Sequence, residues 1–181
     1  MTPLQTALWI VLSVALVISV VTDLATHKIL DLVTWPTLFL ALLLRLIHAG
    51  PLDLEEGPLM GALCAAGAAL PFAIGAFRGK MGWGDVKLMA AVGAVSGWPL
   101  VMYAVTCVSL AGALQAVVTV IWKGEVWDTT SNVLRRWGKR ARLVAKDAQI
   151  PESKHIPYGV AIAAGTFWAM WWQYPVTNSV R

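Results

Sequence analysis

The sequence predicts an all-α, polytopic membrane protein with about six transmembrane helices, and three observations carry that prediction. Of its 181 residues, 58% are hydrophobic and 13% charged, which is too little polar surface to coat a soluble globule. The apolar residues gather into runs close to the roughly 20 residues that a helix needs to cross a hydrocarbon core of about 30 Å. The cations fall on alternate loops, as the positive-inside rule requires.

The first helix is expected over 4–22, from Leu4 to Thr22, and Asp23 ends it. Its approach, Met1-Thr2-Pro3-Leu4-Gln5, has no Lys or Arg and no small-residue cleavage site follows, so it reads as a retained anchor rather than a signal peptide. The second is expected over 32–48. The third, over 58–77, holds Gly61, Gly67 and Gly75 among alanines; small residues permit close helix approach, which makes it the expected central packing element. The fourth, over 83–97, reaches only about 22 Å at about 1.5 Å per residue. It is expected to begin in a protein-lined recess that contains Asp85. The fifth is expected over 99–122 and the sixth over 157–174, where Trp168, Trp171 and Trp172 suit an outer-interface anchor. The whole chain, 1–181, reads as one membrane domain with a basic cytoplasmic loop over about 123–155.

With the N-terminus outside, Lys28, Arg78, Lys80, Lys87 and the segment 123–154 lie in the cytoplasm, while Asp53, Glu55 and Glu56 lie outside. Both termini are then external. In the basic loop, Arg135, Arg136, Lys139, Arg140, Arg142 and Lys146 interleave with Val133, Leu134, Trp137, Leu143 and Val144. That pattern suits an amphipathic helix on anionic lipid. No base-reading motif accompanies the charge, so nucleic acid is not an expected partner. Cys64 and Cys107 fall within apolar runs without metal-ligand spacing, so they read as packing residues; no metal or other cofactor is expected.

The segment Gly82-Trp83-Gly84-Asp85-Val86-Lys87-Leu88 puts a carboxylate at the mouth of an apolar run. An ionisable group at bilayer depth costs several kcal/mol unless it faces a polar cavity, so its first reading is functional. In the expected topology Asp23 lies at the same cytoplasmic lip. Two carboxylates a few ångströms apart cannot both ionise cheaply; one keeps a proton as an acid while the other serves as a base. The blander reading of Asp23 is a lip residue solvated by headgroups. Gly82 and Gly84 let the backbone turn or admit a substrate strand, against a blander reading as a tight loop. Lys87 points away from Asp85 at i+2, leaving it between snorkelling and a part in the site. Asp31 reads as a cap of the second helix, and also as a rival carboxylate.

On these residues the chain resembles the type IV prepilin peptidases, polytopic aspartic proteases with a Gly-x-Gly-Asp core. Gly82 to Lys87 looks like their Gly-x-Gly-Asp-x-Lys motif. Asp23, followed by Lys28-Ile29, resembles their first catalytic aspartate, and His155-Ile156-Pro157-Tyr158-Gly159 resembles the start of their last helix. The resemblance departs at Ile29-Leu30-Asp31, where members commonly carry Ile-Pro-Asn. It also lacks the cytoplasmic insertion with paired cysteines that accompanies N-methyltransferase activity in larger members. The resemblance therefore implies the short, peptidase-only branch that serves tight-adherence (Flp) pili.

What the resemblance implies is an inner-membrane aspartic endopeptidase, with Asp23 and Asp85 catalytic and Gly82, Gly84 and Lys87 shaping the site. Its substrate would be a prepilin or pseudopilin whose short basic leader is removed. Asp31, Glu125, Asp128, Asp147 and Glu152 are candidates for contacts to that leader, which the basic loop would repel. Two other classes compete: a non-catalytic pilus-assembly subunit, and a small proton- or ion-coupled transporter. The second should show paired broken helices in internal repeats, and no such symmetry is visible.

Overall fold

The computed structural model describes residues 3–26, 29–50, 53, 56–79, 81–122 and 158–179. They form six α-helices: α1 (Pro3–Thr26), α2 (Asp31–Ala49), α3 (Pro58–Phe77), α4 (Trp83–Ser96), α5 (Leu100–Trp122) and α6 (Tyr158–Ser179). Each expected apolar run coincides with one of them, and no strand occurs among the described residues. The basic loop, and with it the amphipathic helix expected there, lies outside the described residues, as do His27, Lys28, Lys80 and His155.

The chain divides into two compact units, Met1–Gly112 with Pro157–Arg181, and Ala113–Ile156. Of the second, the described part is the last portion of α5, where Thr119 Oγ1 donates to the Gln115 carbonyl at 2.7 Å.

Among the described residues α1, α2, α3 and Leu100–Thr119 are long and apolar enough to cross a membrane. Their outward faces are greasy: Ile10, Val14, Val17 and Val21 on α1 and Leu63 and Leu70 on α3 are all exposed. A soluble domain rarely shows such continuous apolar faces, whereas lipid tails solvate them without cost. The protein is a multi-pass membrane protein.

The central element is α4, not α3. α4 packs against α1, α2, α3 and α6, most extensively against α3. Val86, Leu88, Met89, Ala91, Val92, Ala94 and Val95 are all buried, so α4 is enclosed on every side and needs no amphipathic stripe. The α3 glycines act differently from expectation. Gly61 makes room for the Arg45 side chain, Gly75 faces Met81, and Gly67 is exposed with open space around it. The tightest α3–α4 approach is instead at Gly93, where any Cβ would overlap the Cys64 backbone and Ala68. Gly165 of α6 does the same for the α5 backbone at Val108.

A helix of 14 residues ends inside the protein, so its last carbonyls need donors. Arg45, buried within α2, supplies them. Its Nε donates to the Ala94 carbonyl at 2.8 Å and Nη2 to the Val95 carbonyl at 3.1 Å. Nη1 donates to the Glu56 carbonyl at 3.0 Å, which ties down the connection before α3. A cation at a helix C-terminus also meets the negative end of its dipole. Gly97 follows with φ +66°, and a Cβ there would meet Arg45 Nη2 at 2.5 Å, so both backbone and space require glycine. With its far end held this way, α4 presents its N-terminus, and Asp85, in a fixed place.

Candidate functional site

Asp23 lies in the last turn of α1 and is 3% exposed. That burial excludes the reading of a headgroup-solvated lip residue. A carboxylate near a helix C-terminus meets an unfavourable dipole, and the compensation comes from another helix. The backbone N–H of Gly159, in the first turn of α6, donates to Asp23 Oδ2 at 2.9 Å. The carboxylate therefore caps the positive end of α6. A Cβ at Gly159 would stand 2.6 Å from the same oxygen, so only glycine permits the approach.

Asp85 is 5% exposed and occupies the N3 position of α4. Its Oδ2 accepts the backbone N–H of Gly82, the N-cap residue, at 3.2 Å. This is the carboxylate half of a capping box and places the charge where the helix dipole favours it. Asp85 also lies within electrostatic reach of the Tyr158 hydroxyl. The structure thus holds Asp23 on the first turn of α6, while α4, whose first turn carries Asp85, packs against both α1 and α6. Three helices converge there: α1 by its C-terminal end, α4 and α6 by their N-terminal ends.

The remaining expected residues take more specific places. Gly84 is where the α1–α2 connection approaches; a Cβ would stand 2.9 Å from Ile29 Cβ. The close neighbour that glycine admits is therefore the protein's own Ile29. Gly82 has extended backbone at φ −74° and ψ 147°, and a Cβ there would be 3.4 Å from Asp85 Oδ2, an ordinary contact. Its contribution in the structure is its N–H. Lys87 does not pair with Asp85. Its Nζ contacts both oxygens of Asp31 at 2.7 Å and lies 5.9 Å from the Trp35 ring centroid. Asp31 is consequently not the cap expected of it: the N-cap of α2 is Leu30, without a side-chain cap bond. It faces Lys87 instead and joins the start of α2 to that of α4.

Sequence reasoning missed Gly159 and Tyr158 as neighbours of the aspartates, although both stand in the motif before the last helix. It also missed Arg45. The signal was there, since a lone arginine deep in an apolar helix demands a partner.

A sequence model of the type IV leader peptidase family matches residues 10–117, more than half of the chain, and includes both aspartates. Among characterised proteins, the chain is 34% identical over 133 residues to a prepilin leader peptidase/N-methyltransferase of Pectobacterium carotovorum subsp. carotovorum. That match covers 71% of this chain and 46% of the relative, so the chain spans about half the length of the relative it matches. No solved structure matches the chain. The chain belongs to the type IV leader peptidase family.

Proposed function

We propose that this protein is a membrane aspartic endopeptidase that removes the leader of type IV prepilins, with Asp23 and Asp85 as its catalytic pair. The observation that carries the reading is the burial of two carboxylates at the meeting ends of α1 and α4, both of which pack against α6. In this mechanism one carboxyl keeps a proton and serves as the acid while the other, ionised, serves as the base. The ionised member takes a proton from water as its oxygen attacks the scissile carbonyl; the protonated member gives its proton to the carbonyl oxygen. The tetrahedral diol then collapses, the C–N bond breaks, and the amine leaves with a proton returned from the pair. Gly82, Gly84 and Lys87 shape this site by fixing Asp85, Ile29 and the start of α2.

The family supports a prepilin or pseudopilin as substrate. We place the protein in the bacterial inner membrane with both termini outside, so that cleavage occurs at the cytoplasmic face and the basic loop rests on anionic lipid. The tight-adherence (Flp) pilin class is the proposed substrate group. The sequence has no glycine-rich nucleotide fingerprint after a strand, so cleavage without N-methylation is the proposed activity. Co-expression with a prepilin encoded nearby, read by a gel shift, tests the reading; an unshifted prepilin beside well-inserted protein refutes it. Mass spectrometry of the processed pilin, with methyl donor added, reads the second part.

A further inference from the structure

Ser19 lies on α1 one turn before Asp23, in the buried stripe that also holds Leu8, Leu12 and Leu16. It is 1% exposed, yet its Oγ has no hydrogen-bond partner among the described residues. The buried threonines behave differently. Thr37 and Thr166 each turn back to the carbonyl four residues earlier, at 2.7 Å, the usual refuge of a hydroxyl in an apolar helix. Ser19 does not use it. A desolvated hydroxyl without a partner costs about 1–3 kcal/mol, and alanine at this position would avoid that cost.

Its surroundings sharpen the point. α4 and α6 run away from the site where α1 runs toward it, so one turn deeper than Asp85 lie Leu88 and Met89, and one turn deeper than Gly159 lie Ile162 and Ala163. All four are buried and apolar. Ser19 is the buried polar residue next below Asp23 on α1, a helix that packs against both α4 and α6.

We propose that Ser19 is a substrate-binding residue whose hydroxyl pairs with a peptide group of the prepilin, on the apolar side of the cleaved bond. The inference rests on the peptidase reading above. For the scissile carbonyl to reach Asp23 and Asp85, the apolar segment that follows it must be extended locally, which frees backbone N–H and C=O groups in a dry site. Each then needs a partner, and a serine hydroxyl both donates and accepts. Side chains four apart on a helix stand about 5–6 Å apart, and a strand rises about 3.3 Å per residue. The peptide group that Ser19 meets is therefore one or two residues beyond the cleaved bond.

Kinetics of purified variants on a prepilin test this directly. Ser19→Ala and Ser19→Val should raise KM about fivefold to tenfold with kcat nearly unchanged, the loss of one hydrogen bond to bound substrate. Ser19→Thr has the bulk of Val and keeps the hydroxyl, so its KM should stay within about twofold of wild type. Unchanged KM in Ala and Val, a fall in kcat alone, or a Thr variant that behaves like Val would each overturn the proposal. A second measurement needs no turnover. In an Asp85→Asn protein with Cys64→Ala and Cys107→Ala, an added thiol oxidant that accepts the two electrons should join Ser19→Cys in a disulfide to a cysteine at the first or second residue after the cleaved bond. It should form none with a cysteine well inside the leader. Cross-linking to the leader, or to neither position, refutes the proposal. A wild-type protein that cleaves no prepilin would sink the peptidase reading itself, whereas wild-type cleavage with silent Ser19 variants refutes only this inference.

Discussion

Gly159 and Asp23 are locked to one another: the amide of the first donates to Oδ2 of the second at 2.9 Å, and the distance leaves no room for a Cβ. The contact joins the end of α1 to the start of α6 and fixes one carboxylate of the candidate pair. Gly159→Ala should therefore displace Asp23 by an ångström or so while leaving the helices intact. Misplacement on that scale can cost on the order of 10²-fold in rate. Cleavage should fall by about that factor, with near-normal insertion and melting in detergent. Full activity in the alanine variant would show that this contact does not set the position of Asp23.

The pair itself predicts non-additive losses. Asp23→Asn or Asp85→Asn keeps the size of the side chain and removes one partner of the shared proton, so each should lose at least about 10²-fold in cleavage. The double variant should be little worse than either single one, because residues that act as a unit are lost as a unit. Membrane insertion must be measured alongside, since Asp85 also caps α4 through the Gly82 amide. Near-normal processing by a well-inserted single variant would rule out the aspartic mechanism and favour a non-catalytic assembly subunit or a transporter.

Much of this arrangement was legible in the sequence because membrane burial makes apolar runs long and charges conspicuous. All six helices, and the burial of Asp85, follow from run lengths and one misplaced acid. What escaped was relational. That α4 rather than α3 is central depends on Gly93 meeting the Cys64 backbone, a contact that no run of small residues specifies. The partner of Lys87 was hidden 56 positions away at Asp31, while helix geometry could only say that it was not Asp85. Ser19 left no trace at all, since a serine in an apolar helix ordinarily bonds to its own backbone.

The Asp31–Lys87 pair predicts a modest and reversible effect. Both groups are partly exposed, which limits an ion pair to about 0–1 kcal/mol. Asp31→Asn should accordingly leave substantial cleavage, as expected of a residue outside the catalytic pair. Asp31→Lys and Lys87→Asp should each impair activity more than Asp31→Asn, since each sets like charges together. Their combination restores attraction with the polarity exchanged. A double-mutant cycle should give a coupling energy of about 0.5–1 kcal/mol; additive effects would show that the pair does not hold α2 to α4.

Topology can be read without substrate. Reporters fused after Gly138 and after Asp53 should behave as cytoplasmic and external respectively, as the cation distribution requires. The reverse pattern in both would put the aspartates on the wrong face for a leader that has not yet crossed the membrane.

Arg45 offers the sharpest stability prediction. It donates to three carbonyls, two of them at the buried end of α4, so Arg45→Met removes the charge but strands the buried Ala94 and Val95 acceptors. Each stranded group costs about 1–3 kcal/mol, and the sum should appear as a large drop in detergent melting temperature. Arg45→Lys should recover little of it, because an ammonium lacks the planar fork that spans Ala94, Val95 and Glu56 together. Cleavage at low temperature, where Arg45→Met still folds, separates two roles. If α4 is simply less stable, the surviving protein should have normal kcat; a lowered kcat at full occupancy of the folded state would mean that Arg45, from the far end of α4, also sets where Asp85 stands.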